Sequence, residues 1–295
     1  MTYPQAGIGV IGGSGLYEMA GLEGVEEVTV TTPFGDPSDT IIVGSLEGKR
    51  VAFVPRHARG HRLNPTGIPV RANIFALKLL GVKRIISVSA VGSLKGEIKP
   101  QDMVVPDQII DRTRSGRPST FYDQGVVVHI SFAEPFCGYL SDLLHDEAAS
   151  QRVPVHKGGT YVAMEGPQFS TVAESNLYRS WGASIIGMTA IPEAKLAREA
   201  EMCYGVLAAS TDYDVWHPEH DSVTAEMIIG NLGKNVENAK SILKGVISRI
   251  SEEGCSCQTA LRDAIVTAAE LVPADVKNDL APLIGKYIGS GEGPA

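Results

Sequence analysis

Short apolar runs rich in Val and Ile alternate along the chain with longer segments in which apolar residues recur every three or four positions. The first pattern, closed by glycines, predicts buried strands, and the second predicts helices with one apolar face. Strands are expected at 8–11, 40–43, 50–54, 84–88, 160–164, 184–186 and 204–210, with Leu46-Glu47-Gly48-Lys49 as a hairpin turn between two of them. Helix starts are marked by Pro69 ahead of Ile74, Leu77 and Leu80, by Thr171 with Glu174 as a capping box, and by Pro192 ahead of 193–201. The longest helix is expected from near Ser222 to near Gly254, its stripe of Ile228, Leu232, Val236, Ala239, Leu243, Val246 and Ile250 turned toward a sheet. Two shorter helical patterns follow, one through Leu261, Ile265 and Leu271, the other through Val276, Leu280 and Ile284. This alternation puts the chain in the α/β class, with 1–254 as the main domain and 255–295 as a helical appendage upon it.

Composition changes this picture little and narrows the partners more. The 295 residues, 43% hydrophobic and 20% charged, exclude disorder, collagen and coiled coil. A formal charge of −8 argues against nucleic acid or an anionic membrane as partner, so any anion must be held locally. No apolar run approaches the ~18 residues of a membrane span, and the N-terminus lacks a basic patch followed by an apolar core, so a cytoplasmic location is expected. Cys137 and Cys203 stand alone in sequence, and Cys255-Ser256-Cys257 sits in a segment expected to be exposed. With no second Cys or His pair nearby it makes a poor zinc site, and no metal is expected.

Candidate chemistry lies in polar loops that directly follow buried strands, where open α/β sheets bind ligands. Gly12-Gly13-Ser14-Gly15 offers converging backbone N–H groups and a hydroxyl to an anion; a plain tight turn is the other reading. Gly7, Gly9 and Gly12 have dinucleotide-type spacing, but it falls within the strand and no acidic residue closes 30–32, which disfavours a dehydrogenase. Three Arg and two His between Arg56 and Arg62 should make a local positive pocket for phosphate; RNA contact is the alternative, weakened by the lack of interleaved aromatic residues. Ser89 with the Ala90 backbone, and Thr189 after Gly187-Met188, add further donors suited to one phosphate without metal. Thr211-Asp212-Tyr213-Asp214 brings two carboxylates to a strand end, where burial would let a carboxyl keep a proton for a heterocycle nitrogen. Acyl transfer and zinc hydrolysis lack their motifs.

These loops, together with Thr32-Pro33-Phe34-Gly35, Glu134-Pro135-Phe136-Cys137, Glu165-Gly166-Pro167-Gln168-Phe169-Ser170 and Pro192-Glu193, occur in an order that resembles the trimeric class of purine nucleoside phosphorylases, in the branch acting on 5′-methylthioadenosine. The resemblance runs from about Ile8 to Ile250 and implies a twisted mixed sheet, partly barrel-like and flanked by helices. It implies phosphate held by Ser14, Arg56, His57, Ser89, the Ala90 backbone and Thr189, ribose against Met188, and purine packed on Phe169. Asp212 and Asp214 would be the catalytic acids on the N7 and N6 edge of adenine, with Tyr213 and His61 at the substrate and His129 lent by a neighbouring subunit. Ser170 and Ala225 fall at specificity positions, and Ala225, Ile228 and Ile229 form an apolar helix face suited to a thioether. The implied reaction is phosphorolysis of methylthioadenosine by a homotrimer or dimer of trimers, with orthophosphate as co-substrate and no cofactor. A methylthioinosine or broad purine nucleoside phosphorylase, and a non-catalytic nucleotide or RNA-binding module, are the alternatives.

Overall fold

The computed structural model describes residues 3–289 apart from 14, 17, 115, 218–224 and 252, and it leaves the side chains of 225–229 and 232 undescribed. Among the described residues, eleven strands form one mixed sheet: β1 (Ile8–Gly12), β2 (Glu23–Val28), β3 (Ile41–Leu46), β4 (Lys49–Pro55), β5 (Arg84–Ser93), β6 (Met103–Val105), β7 (Gln108–Arg112), β8 (Val155–Lys157), β9 (Thr160–Met164), β10 (Ile185–Gly187) and β11 (Cys203–Asp212). The helices are α1 (Val70–Leu79), α2 (Gly138–Ser150), α3 (Val172–Ser180), α4 (Ala190–Glu199), α5 (Ala225–Arg249), α6 (Ala274–Asp279) and α7 (Ala281–Ile288). The main run of the sheet is β2-β3-β4-β1-β5-β10-β9-β7, and β11 branches from β5 to carry β6 and then β8.

β1 and β11 are buried along their whole length, which explains why they read as unbroken apolar runs: helices cover both faces. On one side, Ile74 and Leu77 of α1, Ala194 of α4 and Leu283 of α7 join a single cluster with Ile85 and Val206 of the sheet. On the other, Leu140 and Leu144 of α2 pack with Leu243 and Val246 of α5 against Ile86 and Leu207. The hairpin at Glu47-Gly48 forms with both residues at positive φ (52° and 74°), the conformation such a two-residue connection requires. Thr171 accepts from the Glu174 N–H while the Glu174 carboxylate accepts from the Thr171 N–H, so the capping box is present. Ile191 breaks the first turn of α4, and regular helix starts at Pro192 as expected.

β5 decides where a ligand can sit. Along one edge it pairs with β11 from Arg84 to Gly92. Along the other it pairs with β1 only as far as Ser87 and with β10 only from Gly92. Residues 88–91 therefore run past no strand on that edge, and polar groups opened there face a cavity between the ends of β1 and β10.

The fold departs from expectation in four places. The strands β2, β6, β7 and β8 were not read from the pattern, and the run through Leu261 and Ile265 is not an α-helix: a short 3-10 turn at Ser256–Thr259 leads into turns, and Ile265 bridges to Val128. The expected helix start near Ser222 lies outside the described residues; α5 ends at Arg249, short of Gly254. Cys137 and Cys203 do not stand alone, nor is Cys257 exposed: the folded chain brings the sulfur atoms of Cys137, Cys203, Cys255 and Cys257 within 4.8 Å of one another. Among the described residues no helix is long and apolar enough to cross a membrane.

Thr171→Ala should lower the unfolding free energy by about 1 kcal/mol, the usual value of a lost N-cap, measured as a shift of the urea midpoint with unchanged slope.

Candidate active site

A cavity of about 610 Å3 opens where β1, β5, β10 and β11 end, with the loop after β4 and the middle of α5 closing its sides. Arg56, His57, His61, Ser89, Ala90, Phe169, Met188, Thr189, Asp212 and Asp214 all line it, so loops scattered over more than 150 positions are brought together as expected. Ser14 and the side chains of Ala225, Ile228 and Ile229 lie outside the described residues.

Arg56, 2% exposed, forms the floor. Its Nε donates to Glu193 Oε1 at 2.5 Å, Nη1 to the Val88 carbonyl at 2.9 Å, and Nη2 to Ser87 Oγ at 2.6 Å and Glu193 Oε2 at 3.2 Å. Tyr204 and Ser87 hydroxyls also donate to Glu193 Oε2, at 2.8 and 3.0 Å. Burial works against the guanidinium charge, and the Glu193 carboxylate more than offsets it. The expected free cationic pocket is thus corrected: four of the five Arg56 N–H groups serve the protein, and one on Nη1 is left for a ligand. Elsewhere in the basic loop Arg59 pairs with Glu27 at 2.8 Å, while the exposed Arg62 only reaches Asp39 at 4.0 Å.

His57 hydrogen-bonds the Leu63 carbonyl through Nδ1 at 2.8 Å and stacks on His61 with ring centroids 4.2 Å apart. Burial, then the neighbouring Arg56 cation, holds its pKa down at about 4. At neutral pH the ring is therefore uncharged with its proton on Nδ1, and Nε2 presents a lone pair rather than the donor expected from sequence.

Two hydroxyls open to the cavity point to an anion as its occupant. Ser89 Oγ and Thr189 Oγ1 line it, buried and without a hydrogen bond of normal geometry, with the Tyr161 hydroxyl packed behind them. An unsatisfied buried hydroxyl costs about 1–3 kcal/mol, so the pair suits an occupant with several acceptor atoms. Tyr161 was missed by sequence reasoning, since its strand reads as core. Its hydroxyl sits directly beneath Gly187, where a Cβ would come within 2.0 Å of it.

At the other end of the cavity, Asp212 accepts from Thr211 Oγ1 at 2.7 Å and from the Asp214 N–H at 2.8 Å. Burial pushes both carboxyl pKa values up. Thr211 Oγ1 also lies 3.2 Å from the Val91 carbonyl, so when its proton turns there its lone pair can accept from a protonated Asp212. Asp214 Oδ2 is buried without a partner, and Asp214 is held at φ 50°. Close approach to Gly92 explains that glycine: a Cβ would stand 2.9 Å from Asp212 Oδ1. Phe169 leaves 42% of its surface open at the mouth, a flat apolar platform. Ser170 is buried and turns its hydroxyl toward Met164 Sδ at 3.7 Å, and the same side chain faces Asp214. The structure does not bring Tyr213 or His129 to this cavity. Tyr213 packs on Trp216 and His217, and His129 is exposed on a loop tied by its N–H to the Ala264 carbonyl. Asn235 and Val236 of α5 line the cavity and were not foreseen; Asn235 Nδ2 donates to the Ser210 carbonyl at 3.0 Å and leaves Oδ1 unpaired.

The chain has counterparts among known proteins. The family model described as Phosphorylase superfamily matches residues 7–248. The chain belongs to that superfamily. It is 59% identical over 284 residues to the S-methyl-5′-thioadenosine phosphorylase of Chloroflexus aurantiacus, covering 96% of this chain and 99% of that one. The enzyme of the same name from Geobacter sulfurreducens is 57% identical over 282 residues, covering 95% and 99%. Among solved structures, a methylthioadenosine phosphorylase sourced from an antarctic soil metagenomic library superposes with a TM-score of 0.91 at 49% identity, covering 95% of this chain and 99% of that one. The Schistosoma mansoni methylthioadenosine phosphorylase in complex with adenine gives 0.82 at 33% identity over 88% and 98%.

Glu193→Gln removes the counter-charge of a buried guanidinium and should cost about 3–5 kcal/mol in urea unfolding. His57 has a second signature. Its folded pKa lies below the unfolded value, so its contribution is complete above pH 6.5 and is lost as pH falls toward about 4. The stability difference between wild type and His57→Asn, followed by denaturation at stepped pH, should shrink across that window.

Proposed function

We propose that the protein is a pentosyltransferase that phosphorolyses 5′-methylthioadenosine to adenine and 5-methylthioribose 1-phosphate, returning both halves to purine and methionine salvage. The observation that carries this reading is the pair of buried hydroxyls, Ser89 and Thr189, at one end of a cavity whose other end holds two carboxyls with raised pKa values. The relatives named above act on the same substrate by their names, which supports the assignment.

Orthophosphate fits among Ser89, Thr189 and the Ala90 backbone, with the free Nη1 hydrogen of Arg56 beneath it. Its own proton can be donated to the bare Nε2 of His57, which reconciles a neutral imidazole with an anion site. The purine packs on Phe169, and the ribose lies against Met188. A purine leaves poorly as an anion, so N7 must gain a proton as the glycosidic bond breaks. Asp212, whose pKa burial raises, donates it, and the Asp214 carboxyl oxygen without a partner accepts from the 6-amino group. Positive charge grows at C1′ as the base departs, and the phosphate held beside it first stabilises that charge and then bonds to the carbon. No step requires a cofactor or metal.

The exposed His129 is the residue we assign to a neighbour's site in a homotrimer or dimer of trimers. Ala225, Ile228 and Ile229, on the first turns of α5, are the residues we assign to the 5′ thioether end, with Ser170 setting base specificity.

Incubation with methylthioadenosine should release adenine and a sugar phosphate only when orthophosphate is present; base release at equal rate without it would mean hydrolysis instead. Asp212→Asn should lower kcat for methylthioadenosine by about 10² to 10⁴-fold and move preference toward 6-oxopurines, because an amide can donate to their carbonyl. Product chromatography with both substrates reads the ratio, and an unchanged ratio would refute the acid assignment.

A further inference from the structure

Four cysteines far apart in sequence meet on the side of the sheet covered by α2 and α5. Cys137 is the N-cap of α2, Cys203 is the first residue of β11, and Cys255 and Cys257 flank the start of the 3-10 turn that follows α5. All four are free thiols, and Cys137, Cys203 and Cys257 are buried. Their sulfur atoms lie within 4.8 Å of one another, and the Cys137–Cys255 separation is 3.8 Å. Four thiolates at tetrahedral Zn–S distances of about 2.3 Å stand about 3.8 Å apart, so the cluster needs almost no rearrangement to close around one ion.

We propose that Cys137, Cys203, Cys255 and Cys257 form a structural zinc–thiolate site that staples the C-terminal segment to α2 and β11. All-sulfur ligation selects zinc or another thiophilic ion over magnesium or calcium, and four protein ligands leave no open position for catalysis. Two features of the surroundings suit a centre with excess negative charge. The Leu140 N–H at the start of α2 is directed at the Cys137 sulfur, where the positive end of the helix favours thiolate. Arg84, paired in register with Cys203, is only 4% exposed; it donates to the Glu253 carbonyl just ahead of Cys255, and its Nε finds no partner among the described residues. On zinc binding each thiol gives its proton to solvent and its sulfur forms one bond to the ion, with no change of oxidation state.

The site is remote from the chemistry. Cys203 opens β11 and Asp212 ends it, so the two lie about 30 Å apart along an extended strand. Its effect is on chain placement. Past Cys257 the chain runs to Leu261, whose N–H donates to Glu201 Oε1, and on to Ile265, bridged to Val128 beside the exposed His129. A staple at 255–257 therefore anchors the strip that holds the His129 loop.

The test uses the full chain expressed with zinc in the medium and purified without chelator. Elemental analysis should find about one zinc per chain, and thiol titration should count four thiols that react only once the protein is unfolded and zinc is released. Chelator-stripped protein reloaded with Co2+ should show the intense charge-transfer and visible bands of tetrahedral cobalt thiolate. Cys255→Ser, at the most accessible ligand, should lose stoichiometric zinc and melt earlier, with no cobalt thiolate bands after reloading. Two results would overturn the site. One is a wild-type chain that stays metal-free after dialysis against micromolar zinc and gives no cobalt bands. The other is an intact mass lower by two or four hydrogens, meaning the cysteines are joined as disulfides.

Discussion

The buried ion pair between Arg56 and Glu193 is the constraint on which the site depends. It joins the end of β4 to α4, and through Ser87, Val88 and Tyr204 it reaches β5 and β11 as well. A charge sealed from water tolerates little freedom, because any tilt of the guanidinium loses a bond it cannot replace. The carbonyl of Val88, at the point where β5 loses its neighbour, is fixed by the same group. The pair therefore defines the floor of the anion pocket more than it adds net stability, since the desolvation of two charges consumes much of their attraction.

Above that floor the cavity is divided by charge state. One end is rich in hydroxyls and holds a neutral imidazole; the other holds carboxyls whose pKa values burial raises. Burial thereby weakens the fixed carboxylate charge that would otherwise repel an anion entering the same cavity. The same burial that makes the acids useful also requires glycine at position 92, where a side chain would push into Asp212.

Much of this was legible in the sequence, and the failures have physical reasons. The seven strands with continuous apolar runs were found because burial on both faces leaves no ambiguity of period. β2 was not, because five of its six residues are exposed on an outer strand and Val25 is the one apolar side chain among those five. β6 and β8 are three residues long, too short for any period to show. The helical spacing of Leu261 and Ile265 was misleading: Leu261 packs inward and Ile265 pairs with Val128, two separate tertiary contacts that happen to be four residues apart. Ser89, Thr189 and the two acids could be seen because each stands where an apolar run gives way to polar residues, although Ser89 lies within β5 and Asp212 closes β11. Tyr161 could not, for it lies mid-strand and only the fold shows its hydroxyl unpaired. Arg56 was identified but its role was overstated, since Glu193 lies 137 positions away and its pairing with the arginine is a fact of three dimensions. The cysteine cluster was missed for the same reason, Cys137 and Cys255 being 118 positions apart.

The interrupted edge of β5 carries one more implication. Between Ser87 and Gly92 the sheet is unfinished, and backbone and side-chain donors there wait for something other than a strand. An anion seated in that opening would act as a non-peptide rung of the ladder, linking β5 to the α4 end that carries Thr189. Because an unfolded chain offers it no such seat, its binding would tighten the centre of the sheet as it prepares the reaction, so that occupancy and cohesion would rise together.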